Sequence, residues 1–91
     1  MPETTAMASV SFHYWAGARA AAGVEEETFQ ADTIAGALRQ ATEKRADPRF
    51  SSVFKACSLL IDGVTAHAAD LDRPLHGSVR VEVLPPFAGG A

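Results

Sequence analysis

A single cysteine, Cys57, stands among 91 residues, so no internal disulfide framework can hold this chain together, and a reducing, cytoplasmic setting fits. Basic residues are also few. Eight Lys and Arg against eleven Asp and Glu leave a formal charge of -3, which removes the electrostatic footprint of a nucleic-acid or anionic-membrane binder. No apolar run approaches the roughly 20 residues that cross a bilayer. The start MPETTAMASV has neither the basic region nor the apolar stretch of a secretion signal.

What is present is globular: 47% hydrophobic and 21% charged residues, in a length that suits one core and leaves no room for a second. A deep catalytic cleft is hard to build at this size, which favours a carrier, inhibitor or binding module over an enzyme. Residues 1–7 are small and polar and read as a loose leader. Residues 8–85 are expected to form the folded domain, and residues 86–91 a flexible tail.

From Ala8 the chain alternates. Val10, Phe12 and Tyr14 share one face and Ser11, His13 and Trp15 the other, the period-2 signal of a strand. AGARAAAG then supplies one or two helical turns closed by Gly23. VEEETFQA reads as a second strand, antiparallel to the first, with Glu25, Glu26 and Glu27 as its solvated part. Asp32 and Thr33 are natural N-caps for IAGALRQATEKRA, where Ile34, Ala37, Leu38 and Ala41 line one helical face.

Asp47-Pro48 ends that helix, and RFSSVF is expected to cross irregularly, with Phe50, Val53 and Phe54 entering the core. ACSLLIDGV is a third strand, with Cys57 as a buried structural position and Asp62-Gly63 as a tight turn. DLDRPLHGS is turn-rich. VRVEVL alternates again, with Val79, Val81 and Val83 inward and Arg80, Glu82 and Leu84 outward. One main helix over a mixed four- or five-stranded sheet is the α+β, β-grasp arrangement of ubiquitin-like domains.

Catalytic and metal-binding constellations do not emerge. His13, His67, His76 and Cys57 match no compact ligand spacing, so no metal site is expected. Cys57 has neither a neighbouring base nor a second cysteine to make it a sulfur relay. Asp70 and Asp72 flank a turn without an acid–base partner, and Gly17 and Gly23 lack the spacing of a phosphate loop.

The ending VEVLPPFAGGA is the unusual feature. Pro85 and Pro86 end strand pairing and favour an extended exit, and Gly89 and Gly90 let the backbone pass close to walls and ligands. Six extended residues from Pro85 to Gly90 reach about 20 Å, enough to thread a terminal carboxylate into another protein's pocket.

Together, VSFHYWAGARAAAGV, IAGALRQA, LLIDG and above all VEVLPPFAGG resemble the MoaD/ThiS family of sulfur-carrier proteins, and within it the small subunits of molybdopterin synthase. Two positions depart from the family pattern. His76-Gly77-Ser78 replaces an Asp-Gly-Asp-like turn, and Ala91 follows the second glycine, where such chains usually stop.

The resemblance implies a carrier without catalytic activity of its own. Its terminal glycine is adenylated with ATP and Mg belonging to a MoeB/ThiF-type adenylyltransferase. It then takes sulfur from a cysteine desulfurase or rhodanese-type donor as a thiocarboxylate, for use with a MoaE-type large subunit. Gly90 is the expected site, after removal of Ala91 by a peptidase, because one extra residue moves the carboxylate by about 3.5 Å and about 1 Å can cost a hundredfold in rate. A partner with a longer pocket, or an alanine foreign to the native chain, are the other readings of Ala91.

Pro85, Pro86, Phe87, Ala88, Gly89 and Gly90 would be threaded into the partner. Leu84 is expected to dock, Phe87 either docks or folds back, and Arg19 either pairs with an acidic partner residue or is solvated. A carrier for thiamine or cysteine synthesis, a ubiquitin-like modifier of lysines and an inert interaction module are the alternatives.

Overall fold

The computed structural model describes residues 8–86; the expectations for residues 1–7 and for Phe87, Ala88, Gly89, Gly90 and Ala91 fall outside them. Alternation builds the two central strands. β1 (Ala8–Tyr14) buries Ala8, Val10, Phe12 and Tyr14, and β5 (Ser78–Leu84) buries Val79, Val81 and Val83. They lie parallel in the middle of a five-stranded sheet of order β2-β1-β5-β3-β4, in which β2 is Glu26–Ala31, β3 Ser58–Ile61 and β4 Val64–Thr65. The other pairings are antiparallel, so the architecture is the expected α+β β-grasp.

β1 leads into α1 (Ala16–Ala22), which ends at Gly23 with φ 81°, a left-handed stop where glycine carries no Cβ penalty. α2 (Ile34–Arg45) is capped by Thr33, whose hydroxyl accepts from the Gly36 N–H. Ile34, Ala37 and Ala41 are buried and Leu38 is half-buried, so the apolar stripe faces the sheet as its spacing requires. Asp62 and Gly63 both have positive φ, as a two-residue type I′ hairpin turn between β3 and β4 demands. The DLDRPLHGS segment begins within a short 3₁₀ turn over Ala68–Asp72.

The structure corrects two expectations in the middle of the chain. RFSSVF is helical, part of α3 (Pro48–Ala56), because the residues that stop α2 also start α3. The Asp47 carboxylate accepts from the Arg49 N–H, and Pro48 occupies the first turn, where its missing N–H costs nothing. Phe50 and Phe54 enter the core from this helix. Phe54 meets Phe12 edge-on at 5.6 Å, and Phe50 meets Tyr14 at 6.0 Å. Cys57, expected within a buried strand, instead caps the C-terminus of α3. It is half-buried, its thiol donates to the Val53 carbonyl at 3.2 Å, and burial pushes its pKa up.

Glu27 departs from the solvated acidic run. Strand alternation turns its side chain inward at the edge of the sheet, where it is 9% exposed. Arg45, at the end of α2, meets it at 2.7 Å, Lys44 at 2.9 Å and the Tyr14 hydroxyl at 2.5 Å. Burial alone would raise the Glu27 pKa, but hydrogen bonds from Arg45, Tyr14 and Lys44 outweigh it and hold the carboxyl below its ordinary value. Tyr14 is pushed well above the usual phenol value, first by burial and then by the adjacent carboxylate. Arg45 also donates to the Ala22 carbonyl and lies over the Phe50 ring at 4.5 Å, so this cluster ties α1, α2, α3 and β2 together.

Candidate functional site

The site begins where β5 ends. Pro85 and Pro86 have no N–H to extend the ladder, so pairing stops at Leu84 opposite Ser58 and the chain leaves from the centre of the sheet. Pro85 is half-buried and Pro86 exposed. The parallel register sets Tyr14 beside Val83, and the Trp15 N–H continues that ladder to the Val83 carbonyl at 3.1 Å. Trp15 therefore comes alongside Leu84, at the root of the exit.

Odd and even positions divide the two faces of the sheet. The face opposite the helices presents Trp15, which is 46% exposed, with Leu84 and Leu60, both half-buried. Glu82 lies opposite Leu60 and organises this patch. Its Oε1 accepts from the Trp15 indole N–H at 2.6 Å, and its Oε2 accepts from Arg80 Nε. Arg80 first, then the indole, hold the Glu82 pKa down to about 2. His13 completes the cluster: its Nδ1 lies 2.8 Å from Arg80 Nη2 and 3.2 Å from Glu82 Oε1, and its ring meets Trp15 edge-on at 4.9 Å.

Arg19, on α1, is exposed and lies 3.7 Å from Glu25, whose carboxylate is also 4.0 Å from His13 Nε2. The structure thus brings Arg19 to the border of the same patch through Glu25 and His13, already holding an acidic neighbour within the chain. Leu84, Pro85 and Pro86 lie at its centre. Phe87, Ala88, Gly89 and Gly90 lie outside the described residues.

Sequence reasoning placed Trp15 and Glu82 on the outward face without assigning them to the site. The available signal was phase: Trp15 and Leu84 each end a strand facing away from the core, and only the parallel register makes them neighbours. Among the described residues, no group of three or more His, Cys, Asp or Glu is placed to hold a metal ion. His67 instead caps the 3₁₀ turn with Asp70. Among the same residues, no helix is long and apolar enough to cross a membrane.

Among the described residues, no nucleophile–base pair stands at the end of β5. The arrangement offers an aromatic and aliphatic patch, with its polar atoms already committed, at the point where Pro85 and Pro86 follow β5. An exposed aromatic beside aliphatic side chains is the composition found at the cores of protein–protein interfaces.

No family model matches the chain, and no curated protein does. Solved structures do match. The small archaeal modifier protein 1 from Methanosarcina acetivorans superposes with a TM-score of 0.75 at 26% identity, over 92% of this chain and 98% of that one. A putative molybdopterin converting factor subunit 1 from Pyrococcus furiosus matches with a TM-score of 0.65 at 19% identity, over 88% of this chain and 99% of that one. Subunit 1 of a molybdopterin-converting factor complex with subunit 2, from Helicobacter pylori, matches with a TM-score of 0.63 at 15% identity, over 87% and 95%. At their identities the last two show the shared fold alone. The MoaD/ThiS resemblance read from the sequence and the β-grasp fold agree with these neighbours.

Proposed function

We propose that the chain is a ubiquitin-like sulfur carrier of the MoaD type, with Gly90 as the residue that is activated and loaded. The observation that carries this reading is the exit of Pro85-Pro86 from the central strand beside the exposed Trp15 and the half-buried Leu84. The match to a small archaeal modifier protein over 92% of this chain supports it. A partner that covers the pair holds the root of the segment, and the residues beyond Pro86 supply the reach.

The chemistry starts from the carboxylate. It is ionised at neutral pH, with a reference pKa of about 3.3–3.7, and is a poor electrophile. Attack of its oxygen on the α-phosphorus of ATP expels pyrophosphate and leaves an acyl-adenylate. The terminal sulfur of a persulfide on a desulfurase- or rhodanese-type donor then displaces AMP to give an acyl disulfide. A thiol cleaves that S–S bond, leaving the thiocarboxylate while the thiol and the donor cysteine end as a disulfide. The chain's contribution is presentation: docking through Trp15 and Leu84, and a thread narrow enough to enter the MoeB/ThiF-type active site. ATP and Mg belong to that enzyme. Delivery to a MoaE-type large subunit, for molybdopterin synthesis, uses the same exit; the Helicobacter pylori relative assembles with a subunit 2.

Intact mass spectrometry tests this after incubation with a MoeB-type enzyme, ATP, Mg and a sulfur donor, on chains ending at Gly90 and at Ala91. The expected result is a gain of about 16 Da on the Gly90 chain, one carboxyl oxygen replaced by sulfur, and none on the Ala91 chain. Absence of the adduct from both chains overturns the reading. The modifier in the name of the Methanosarcina acetivorans neighbour favours a second fate, attachment of Gly90 to lysines of other proteins. High-mass isopeptide conjugates in cells distinguish it.

A further inference from the structure

On the helix-covered side of the sheet, α2, α3, β3 and the 3₁₀ turn surround a cleft of about 420 Å³. Leu38, Phe54, Leu59 and Leu71 form its apolar floor, and Arg39 and Lys55 stand among its lining residues as cations. The other polar groups are largely turned inward. The Thr42 hydroxyl donates to the Leu38 and Arg39 carbonyls, and the Cys57 thiol donates to the Val53 carbonyl.

Charge gives this cleft a preference. The chain is net acidic, yet no Asp or Glu lines the cleft. Five of the eight basic side chains are paired with carboxylates: Arg19 with Glu25, Lys44 and Arg45 with Glu27, Arg73 with Asp70, and Arg80 with Glu82. Among the described residues, Arg39, Arg49 and Lys55 make no ion pair, and two of these three line the cleft. Positive charge without an ion pair among the described residues thus stands beside an apolar floor on an otherwise acidic molecule.

We propose that this cleft binds an amphipathic carboxylate, an unbranched apolar chain of about ten carbons whose anionic head is held by Arg39 and Lys55. Its volume falls within the range of about 300–1,000 Å³ typical of sites for single small molecules. A protein partner would need a patch of about 800 Å², far broader than this concavity. The apolar floor takes the chain, and the two cations, on different helices, select the sign of the head. The cleft lies across the sheet from the Trp15–Leu84 patch, so occupancy leaves the docking face open.

The test is an amide NMR titration of the ¹⁵N-labelled full chain with decanoate. Decyl maltoside and decyltrimethylammonium, all below their micelle concentrations, serve as head-group controls. Decanoate is expected to move the amides of Leu38, Phe54, Leu59 and Leu71 and to bind about tenfold more tightly than the neutral amphiphile. In an R39Q/K55Q double variant that advantage should vanish while the rest of the spectrum stays in place, since both side chains are exposed. The proposal is overturned if decanoate leaves these amides unmoved, acts at Trp15 and Leu84 instead, binds no better than decyl maltoside, or keeps its advantage in the double variant.

Discussion

The Trp15 indole N–H donates to Glu82 Oε1 at 2.6 Å, joining the residue that follows β1 to its parallel neighbour β5 across 67 positions of sequence. This bond, with the edge-on contact to His13, restrains an exposed aromatic ring whose backbone continues the ladder beside Leu84. Little side-chain freedom remains to be lost on docking, which is where large aromatic anchors gain their effect.

Replacing Trp15 with Ala should therefore weaken binding of the adenylyltransferase or large-subunit partner by about 2 kcal/mol, roughly thirtyfold in Kd. Titration calorimetry measures it, with circular dichroism showing an unchanged fold. Trp15→Phe, which retains ring area but loses the N–H, should fall between the two.

Glu82 makes part of the stability depend on acid. Its folded pKa, about 2, lies below the unfolded value near 4.5, so the bonds from Arg80 and Trp15 stabilise the protein above pH 4.5. That contribution is lost as pH falls from 4.5 through 2. Urea midpoints followed by Trp15 fluorescence should drop over this window by more in the native chain than in Glu82→Gln. Equal slopes in the two proteins would show that the network contributes nothing to stability.

Arg45→Ala removes the main partner of a carboxylate that stays inward and nearly covered, together with its stacking on Phe50 and its bond to the Ala22 carbonyl. Lys44 still reaches Glu27, so the expected loss is about 3 kcal/mol, at the low end for breaking a buried pair. Chemical denaturation measures it, and adding Glu27→Gln should recover part of the loss by removing the stranded charge.

Ala46 ends α2 with φ 49° and ψ 40°, a left-handed conformation that costs a residue with a Cβ about 1–2 kcal/mol. Ala46→Gly relieves this strain, offset by the greater freedom of glycine in the unfolded chain. A net gain of about 0.5–1 kcal/mol is expected, visible as a higher melting temperature. A lower one would mean that the cap is unstrained.

Local chemistry was enough for much of the fold to be legible in the sequence. Alternation marked β1 and β5, apolar spacing and the Thr33 cap marked α2, and glycine at positive φ marked the stop at Gly23 and the turn at Asp62-Gly63. Phe50, Val53, Phe54 and Cys57 carried the helical spacing of α3, but in so short a segment, beginning soon after another helix ended, the pattern passed for an irregular crossing. The capping carboxylate of Asp47 was the missed signal.

The sequence by itself determined the strand phases, the main helix, and the two prolines and two glycines of the ending, because each depends on the conformational preferences of a few adjacent residues. Only the tertiary structure decided that Trp15 lies beside Leu84, that Glu82 binds the indole, and that Glu27 turns inward to Arg45. These are consequences of long-range register: a strand's periodicity states which side chains share a face, while pairing alone states which residues of distant strands meet.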